Sequence, residues 1–271
     1  MILIMSYFLT ESDKAFVVKG RFKTQQLKSA FYKEKFLKCV FLPMMLVAIA
    51  AGVGIFVQKD FGTTVILVTI CFVCFIGTPR QYFKKYKRIV WVFIGVCGVL
   101  FLIIGTSVLK GYQLGRISTW LAPLSDPYDT SMQLSNALIA FNNGGLFGVG
   151  LGDSKQKYLY IPEPHNDFIF SIIGEELGFV GCTVIIVLFA IFIWRGILIA
   201  MRAPDMFGSL VAVGITALIG IQVIINIAVV TSSMPATGMP LPFFSYGGTA
   251  LFILLCQMGV LLNISRASTK S

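Results

Sequence analysis

Long apolar runs alternate with short polar segments along the whole chain. Six runs approach the roughly 20 residues that an α-helix needs to cross a bilayer; they cover about 39–57, 62–78, 89–109, 167–194, 208–231 and 247–264. Residues 1–9 are equally apolar but too few to cross, so they predict a partial helix. The pattern predicts an all-α polytopic membrane protein with six full transmembrane helices plus a partial N-terminal one, and residues 1–271 as one integral membrane domain.

Composition agrees with this prediction. The 271 residues are 56% hydrophobic and 13% charged, with a mean hydropathy of +0.85. A soluble domain cannot bury that much apolar surface. The first residues are apolar without a basic region before them, which predicts that no signal peptide is cleaved. The six cysteines lie in or beside apolar runs and are interpreted as small apolar side chains.

The positive charge is distributed unevenly between the polar segments. A net charge of +10 can indicate nucleic acid binding, but all except five of the 22 basic residues fall in alternate loops. This is the positive-inside pattern, and it predicts membrane association and no nucleic acid partner. The segments 10–38 and 79–88, the loop marked by Arg195 and Arg202, and the C-terminal tail would then be cytoplasmic. An amphipathic interfacial helix is expected near 27–37.

The longest polar segment, residues 110–166, is predicted to be a large extracytoplasmic loop. It is rich in Gly, Asn, Asp and Ser, and long ordered loops are usually functional. Apolar residues recur at near-helical spacing from Met132 to Phe141, which predicts a short surface helix that residues 142–145 would end.

The end of this loop holds the densest ionisable chemistry. Glu163, His165 and Asp167 lie within five residues, and His165 is the only histidine in the chain. The following residues are apolar and begin a membrane span. Ionisable groups at such a position are costly to desolvate and indicate function. The alternative is that Asn166 or Asp167 only caps the helix.

A second unusual stretch, residues 234–248, precedes the last span. Its three prolines and three glycines exclude a regular helix, yet it is too apolar for an ordinary loop. Non-helical backbone at membrane depth persists only when it is buried in protein or lines a cavity. The stretch therefore predicts a re-entrant Pro/Gly-rich segment, with a tight interfacial hairpin as the alternative. Nearby, Gln222 and Asn226 share one helix face and predict interhelical hydrogen bonds without a catalytic role.

Several motifs together resemble the SEDS family (shape, elongation, division and sporulation glycosyltransferases), and its division and sporulation members more than its elongation members. The motifs are Pro235-x-Thr237-Gly238-x-x-Leu241-Pro242-Phe243-x-Ser245-Tyr246-Gly247-Gly248, the glycine-rich run 144–152, residues 156–157, 162–170 and 175–178, and the shorter matches 58–63 and 261–266. The chain departs from the family at Asn166, where Thr is usual, and at Thr249 and Ala250, where Ser is usual.

The resemblance implies a fold of ten transmembrane helices, with this chain beginning in the fourth. It implies a peptidoglycan glycosyltransferase that polymerises lipid II on the outer face of a bacterial cytoplasmic membrane during cell division. The linkage would invert and undecaprenyl pyrophosphate would leave. The implied partners are lipid II, a class B penicillin-binding protein transpeptidase, other division proteins and membrane lipid.

Site residues follow from the resemblance together with the chemistry. Asp167 matches the family's essential Asp and suits a general base. A leaving pyrophosphate needs positive charge, either from side chains or from a divalent cation such as Mg²⁺. The remaining substrate-binding candidates are Lys157, Lys155, Arg116, His165, Glu163, Thr237, Ser245 and Tyr246. Glu175 and Glu176 are expected to open the helix, where its dipole favours acids, with metal binding as a secondary role.

Two other functions stay open at this level. A lipid II flippase would place ionisable groups near the bilayer midplane, whereas the membrane-associated acids here crowd at one end. A non-catalytic division scaffold is the other alternative, because the resemblance places the start of this chain in the fourth helix.

Overall fold

The computed structural model describes residues 2–16, 61–77, 120–121, 132–156 and 166–268. Regular structure in these residues is helical throughout, without a strand. The helices are α1 (Ile2–Phe16), α2 (Phe61–Gly77), α3 (Met132–Gly144), α4 (Ile169–Arg202), α5 (Met206–Val230) and α6 (Gly248–Ser268). This confirms the predicted all-helical class. The predicted spans 39–57 and 89–109 and the interfacial helix 27–37 lie outside the described residues.

Three of the described helices, α4, α5 and α6, are long and apolar enough to cross a membrane. They occupy the positions predicted for the last three spans, and α2 occupies that of 62–78. Large apolar side chains such as Val184, Leu188 and Ile191 of α4 are exposed, as expected for a helix surrounded by lipid. The protein is a multi-pass membrane protein, while the total of six full helices and a partial one stays a prediction.

Two helix boundaries differ from the prediction. Helix α4 continues to Arg202, so Arg195 lies within it and not in a loop. Arginine is a good helix former, and its long side chain can reach polar surroundings from a helix end. The loop between α4 and α5 is therefore only residues 203–205, where Asp205 Oδ2 accepts a hydrogen bond of 2.8 Å from Gly208 N as an N-cap. Helix α1 continues past residue 9 to Phe16, because no Gly or Pro interrupts it.

The chain divides into two compact units, and α4, α5 and α6 each contribute to both. The first comprises residues 1–79, 192–220 and 253–271. In it α1 packs against α2, and Ala200, Ala212 and Leu261 form a core cluster. Small residues allow the close helix contacts expected in a membrane. The prediction of a single integral membrane domain stays a prediction.

The second unit comprises residues 80–191 and 221–252. Its core cluster consists of Leu134, Ala137, Phe168, Ile172 and Val230. Helix α3 ends at Gly144, within the predicted stop, but it is only partly a surface helix because one face is buried in this core. The buried Phe168 anchors the start of α4, and Asp167 is the residue immediately before it.

Candidate active site at the start of helix α4

Asp167 lies in a turn formed by residues 166–168, and α4 begins directly after this turn. The carbonyl of Phe168 accepts hydrogen bonds from the Ser171 amide at 3.0 Å and from its hydroxyl at 2.7 Å, which fixes the first helical turn. Asp167 is half-buried. A Cβ atom placed on Gly238 would lie 3.4 Å from Asp167 Oδ2. The carboxylate therefore lies against the Pro/Gly-rich segment, and two stretches that the sequence singled out separately meet here.

Asn226 of α5 joins these two stretches. Its Nδ2 donates to the carbonyl of Asp167 at 2.8 Å and to the carbonyl of Met239 at 2.6 Å. Its side chain is 1% exposed. The sequence predicted hydrogen bonding for this residue but assigned it to a neighbouring helix. The partners are instead carbonyls of two non-helical segments, which lack the intrahelical donors that a helix would supply.

Ser245 forms a second connection. Its hydroxyl accepts from Leu241 N and donates to the carbonyl of Asn166, both at 2.7 Å. These bonds close the turn after Leu241 and fasten it to the residue before Asp167. The geometry supports a positioning role for Ser245, although the sequence proposed it as a substrate contact.

The Pro/Gly-rich segment is non-helical up to Gly247, as predicted, and partly buried: Met239 and Leu241 are 6% and 1% exposed. Its re-entry into the membrane stays a prediction. Thr237 Oγ1 and Asn226 Oδ1 are buried without a hydrogen-bond partner among the described residues. Buried polar atoms normally have partners, so the described part of the chain leaves these two atoms unsatisfied. Tyr246, in contrast, is 83% exposed.

The candidate cations are placed only in part. Lys155 is exposed. Arg116, Lys157, Glu163 and His165 lie outside the described residues, so their roles stay predictions.

Glu175 occupies a different position from the one predicted. Both Glu175 and Glu176 lie in the second turn of α4 and just before a break at Gly178, so the expected favourable contact with the helix N-terminus is wrong. Glu175 is 1% exposed. Its carboxylate accepts hydrogen bonds from Ser154 Oγ, from Asn143 Nδ2 at 3.3 Å and from Gln156 N at 3.3 Å.

These donors suit a structural carboxylate better than a metal ligand. Three neutral groups already occupy its oxygens, and no group of three His, Cys, Asp or Glu side chains gathers among the described residues. The hydrogen bonds of Glu175 therefore do not fit a metal ligand, and metal binding by Glu176 stays a prediction. The Glu175 carboxylate instead fastens residues 143–156 to the helix that follows Asp167.

Helix α4 has a break at Gly178, and the loop after α3 forms backbone hydrogen bonds with α4 on both sides of this break. Gly178 has φ 67° and ψ −167°. The carbonyls of Glu175 and Glu176 accept from Val149 N and Gly150 N, and the amides of the two residues after Gly178 donate to the carbonyls of residues 145 and 146. Sequence reasoning did not assign this role, although the glycine-rich run and the Glu-Glu-Leu-Gly motif are its two halves.

Comparison with known proteins agrees with the family resemblance seen in the sequence motifs. The FtsW, RodA and SpoVE family model, described as "Cell cycle protein", matches residues 20–270. Stage V sporulation protein E of Bacillus subtilis (strain 168) is 46% identical over 229 residues, which cover 84% of this chain and 60% of that protein. The probable peptidoglycan glycosyltransferase FtsW of Geobacter sp. (strain M18) is 37% identical over 267 residues, covering 98% of this chain and 65% of that protein. The chain thus spans less than two thirds of the length of these curated relatives.

Solved structures share the fold. A chain of a peptidoglycan synthase complex, studied for its coordination of polymerization and crosslinking, matches with a TM-score of 0.66 and 22% identity over 99% of this chain and 81% of that one. The rod shape determining protein RodA of Thermus thermophilus matches with a TM-score of 0.51 and 22% identity, over 97% and 76% of the two chains. The family model, the curated relatives and the shared fold together show that this membrane protein belongs to the FtsW/RodA/SpoVE (SEDS) family.

Proposed function

We propose that this protein is a peptidoglycan glycosyltransferase that polymerises lipid II, with Asp167 as the general base. The observation that carries the proposal is the position of Asp167. It is a half-buried carboxylate between the start of a membrane helix and the Pro/Gly-rich segment, with its backbone fixed by Asn226. A carboxylate held in this way at the end of a membrane span supports the role of a proton acceptor with fixed geometry.

The chemistry requires few protein groups. The base removes the proton from an acceptor sugar hydroxyl while the hydroxyl oxygen attacks the anomeric carbon of the donor glycan. The configuration at this carbon inverts in one displacement. Undecaprenyl pyrophosphate leaves with the bonding electron pair. Lys155, Lys157 and Arg116 are the cations that would stabilise its charge. Thr237, next to the Gly238 that lies against Asp167, is the proposed contact to a substrate hydroxyl.

Similarity supports the reaction class. Geobacter relatives 37% and 40% identical to this chain carry the name probable peptidoglycan glycosyltransferase FtsW. The Bacillus relative is a sporulation protein. We propose the outer face of a bacterial cytoplasmic membrane as the place of reaction, because the positive-inside pattern of the sequence predicts that Asp167 lies on that face.

We also propose a class B penicillin-binding protein as partner. The structural neighbour belongs to a complex that couples polymerization to crosslinking. A transpeptidase should therefore co-purify with this chain at native expression levels in mild detergent. Recovery of the chain without any transpeptidase would count against this partner.

The test of the activity is polymerisation of fluorescent lipid II in proteoliposomes. The chain is assayed alone and fused behind the N-terminal part of the Bacillus relative, because it spans 60% of that protein. Glycan strands sensitive to a muramidase are expected from the fusion, and their loss in its Asp167→Asn variant. Movement of lipid II across the bilayer without polymer would favour a flippase, and neither activity from a folded fusion would favour a scaffold.

A further inference from the structure

The glycine-rich run 144–152, which begins with the last residue of α3, is apolar throughout. We name it the glycine loop. It contains only glycine, leucine, phenylalanine and valine. Leu146, Phe147, Val149 and Leu151 are 65%, 81%, 44% and 79% exposed. Four large apolar side chains in succession, exposed on a loop with no polar side chain, are unusual for a surface in contact with water.

The central part of the glycine loop has backbone groups that are hydrogen-bonded within the protein. Gly148 N donates to the carbonyl of Gly144 at 2.7 Å, and Val149 N and Gly150 N donate to α4 carbonyls at 3.0 and 3.1 Å. The carbonyls of Gly145 and Leu146 accept from α4 amides at 2.9 and 3.1 Å. Water would satisfy these groups on an ordinary loop. Internal satisfaction is what non-helical backbone requires where water is scarce.

The depth of the loop follows from the helix to which it binds. Beyond the break, residues 179–194 of α4 carry no charge, and these 16 residues measure about 24 Å at about 1.5 Å per residue. The hydrocarbon core is about 30 Å thick. If Arg195 marks the inner boundary, the core extends past the break and includes the level of the glycine loop.

The alternative boundary gives nearly the same depth. If Arg202 marks it, residues 179–202 measure about 36 Å, and the break lies about 6 Å above the core. Apolar faces at the bilayer interface insert about 5–10 Å. Either way the exposed loop side chains reach the acyl chains. The exposed Phe179 and Val180 of α4, which the loop contacts through its backbone, continue the same apolar surface.

We propose that the glycine loop is a membrane-embedded element that contacts phospholipid acyl chains in the leaflet where α4 begins. The polar part of the loop starts at the exposed Asp153, which with the exposed Lys155 marks the water boundary. The residues from 144 to 152 are therefore part of the lipid-facing surface, although they fall within the segment 110–166 that the sequence predicted as extracytoplasmic. The membrane contact does not depend on the proposed enzymatic activity.

Depth-resolved fluorescence quenching tests the proposal. Single cysteines at Phe147 and Leu151 are labelled with bimane in a background whose native cysteines are replaced by alanine, and the protein is reconstituted in vesicles. Brominated acyl chains should quench both labels several-fold more than aqueous iodide does. Asp153→Cys, two residues beyond Leu151, should show the reverse preference, and Val187→Cys on the exposed face of α4 gives the membrane reference.

Other outcomes overturn the proposal. Iodide quenching at positions 147 and 151 would place the loop in water, and protection from both quenchers would mean that protein covers it. Should the cysteine-free background fail to fold, the unmodified chain is irradiated in vesicles containing a phospholipid with a diazirine near the middle of its acyl chain. Adducts on the peptide with Phe147 and Leu151 are expected, and adducts on α4 alone would contradict the proposal.

Discussion

Asn226 holds Asp167 through the backbone: its Nδ2 lies 2.8 Å from the Asp167 carbonyl oxygen, and the carboxylate takes no part in this bond. The same Nδ2 lies 2.6 Å from the carbonyl of Met239. One buried amide thus sets the distance between the proposed base and the Pro/Gly-rich segment. A base needs fixed geometry and retained basicity. The bond to the Asp167 carbonyl fixes the geometry and does not engage the carboxylate.

Replacing this amide should loosen both segments. Asn226→Leu keeps the approximate volume and leaves the carbonyls of Asp167 and Met239 without this donor, at about 1–3 kcal/mol for each unsatisfied group. We expect a lower thermal unfolding temperature in detergent and at least a tenfold loss of polymerisation. Gln222→Leu, one turn earlier and half-buried, is the matched control. Equal effects of the two substitutions would show that Asn226 has no special part.

Asp167→Asn tests the base directly. Asn keeps the size and most hydrogen bonds of Asp and caps helices nearly as well. If Asp167 only caps α4, activity should stay close to that of the unsubstituted protein. As a general base its loss should lower the polymerisation rate by about 10²–10⁴-fold, with folding and lipid II binding retained.

The exposed Asp153 provides the control for removal of a loop carboxylate. Asp153→Asn should leave the rate nearly unchanged. If Asp167→Asn behaves in the same way, the base must be sought among the other acids, first Glu163.

The buried carboxylate of Glu175 should control the order of the segment before Asp167. Glu175→Ala removes the acceptor of Ser154, Asn143 and Gln156. Limited proteolysis should then cut between residues 150 and 165 several-fold faster. Buried donors without partners destabilise the packing of this segment against α4. Glu176→Ala, at the neighbouring half-buried position, should change the rate much less. Unchanged cleavage in Glu175→Ala would contradict the anchoring role.

The close fit between the glycine loop and α4 should tolerate no side chain at Gly148. A Cβ there would overlap the carbonyl oxygen of Glu176, whereas one on Gly145 meets nothing within 4 Å. Both glycines have positive φ, 81° and 51°, so both alanine variants bear a similar backbone cost of about 1–2 kcal/mol. Their difference isolates the steric overlap. Gly148→Ala should unfold at a clearly lower temperature than Gly145→Ala, and equal temperatures would show that the loop moves away from α4 at little cost.

Orientation can be checked with cysteines introduced on the two sides of the membrane that the sequence predicts. We expect Asp153→Cys to react with an impermeant maleimide added to intact cells, and a cysteine at Ser268 to react only after permeabilisation, since basic loops stay inside. Ser154 is unsuitable for labelling because it is 1% exposed. The reverse pattern would place Asp167 on the cytoplasmic side and would contradict synthesis on the outer face.

The sequence by itself determined the three described spans α4, α5 and α6 and the position of Asp167 just before the first of them. Backbone in lipid must form its own hydrogen bonds, so apolar runs of sufficient length become helices, and α4, α5 and α6 lie where those runs lie. The polar turn before α4 was predictable for the same reason, because the apolar pattern begins just after Asp167. The hydropathy pattern predicted the wrong end for α4 at Arg195, because one charge in an apolar run does not indicate whether a helix ends or continues.

Tertiary structure alone decided how the site is held together. Asn226 and Asp167 are 59 positions apart, and Ser245 and Asn166 are 79 apart. Such bonds depend on how segments pack, which no spacing within one segment encodes. Glu175 illustrates the same limit of local sequence. Because it stands next to Glu176, the sequence predicted a pair of acids in the first turn of a helix. The break at Gly178 and the loop inserted there instead bury one carboxylate against three donors, because backbone groups left unpaired by the break need partners.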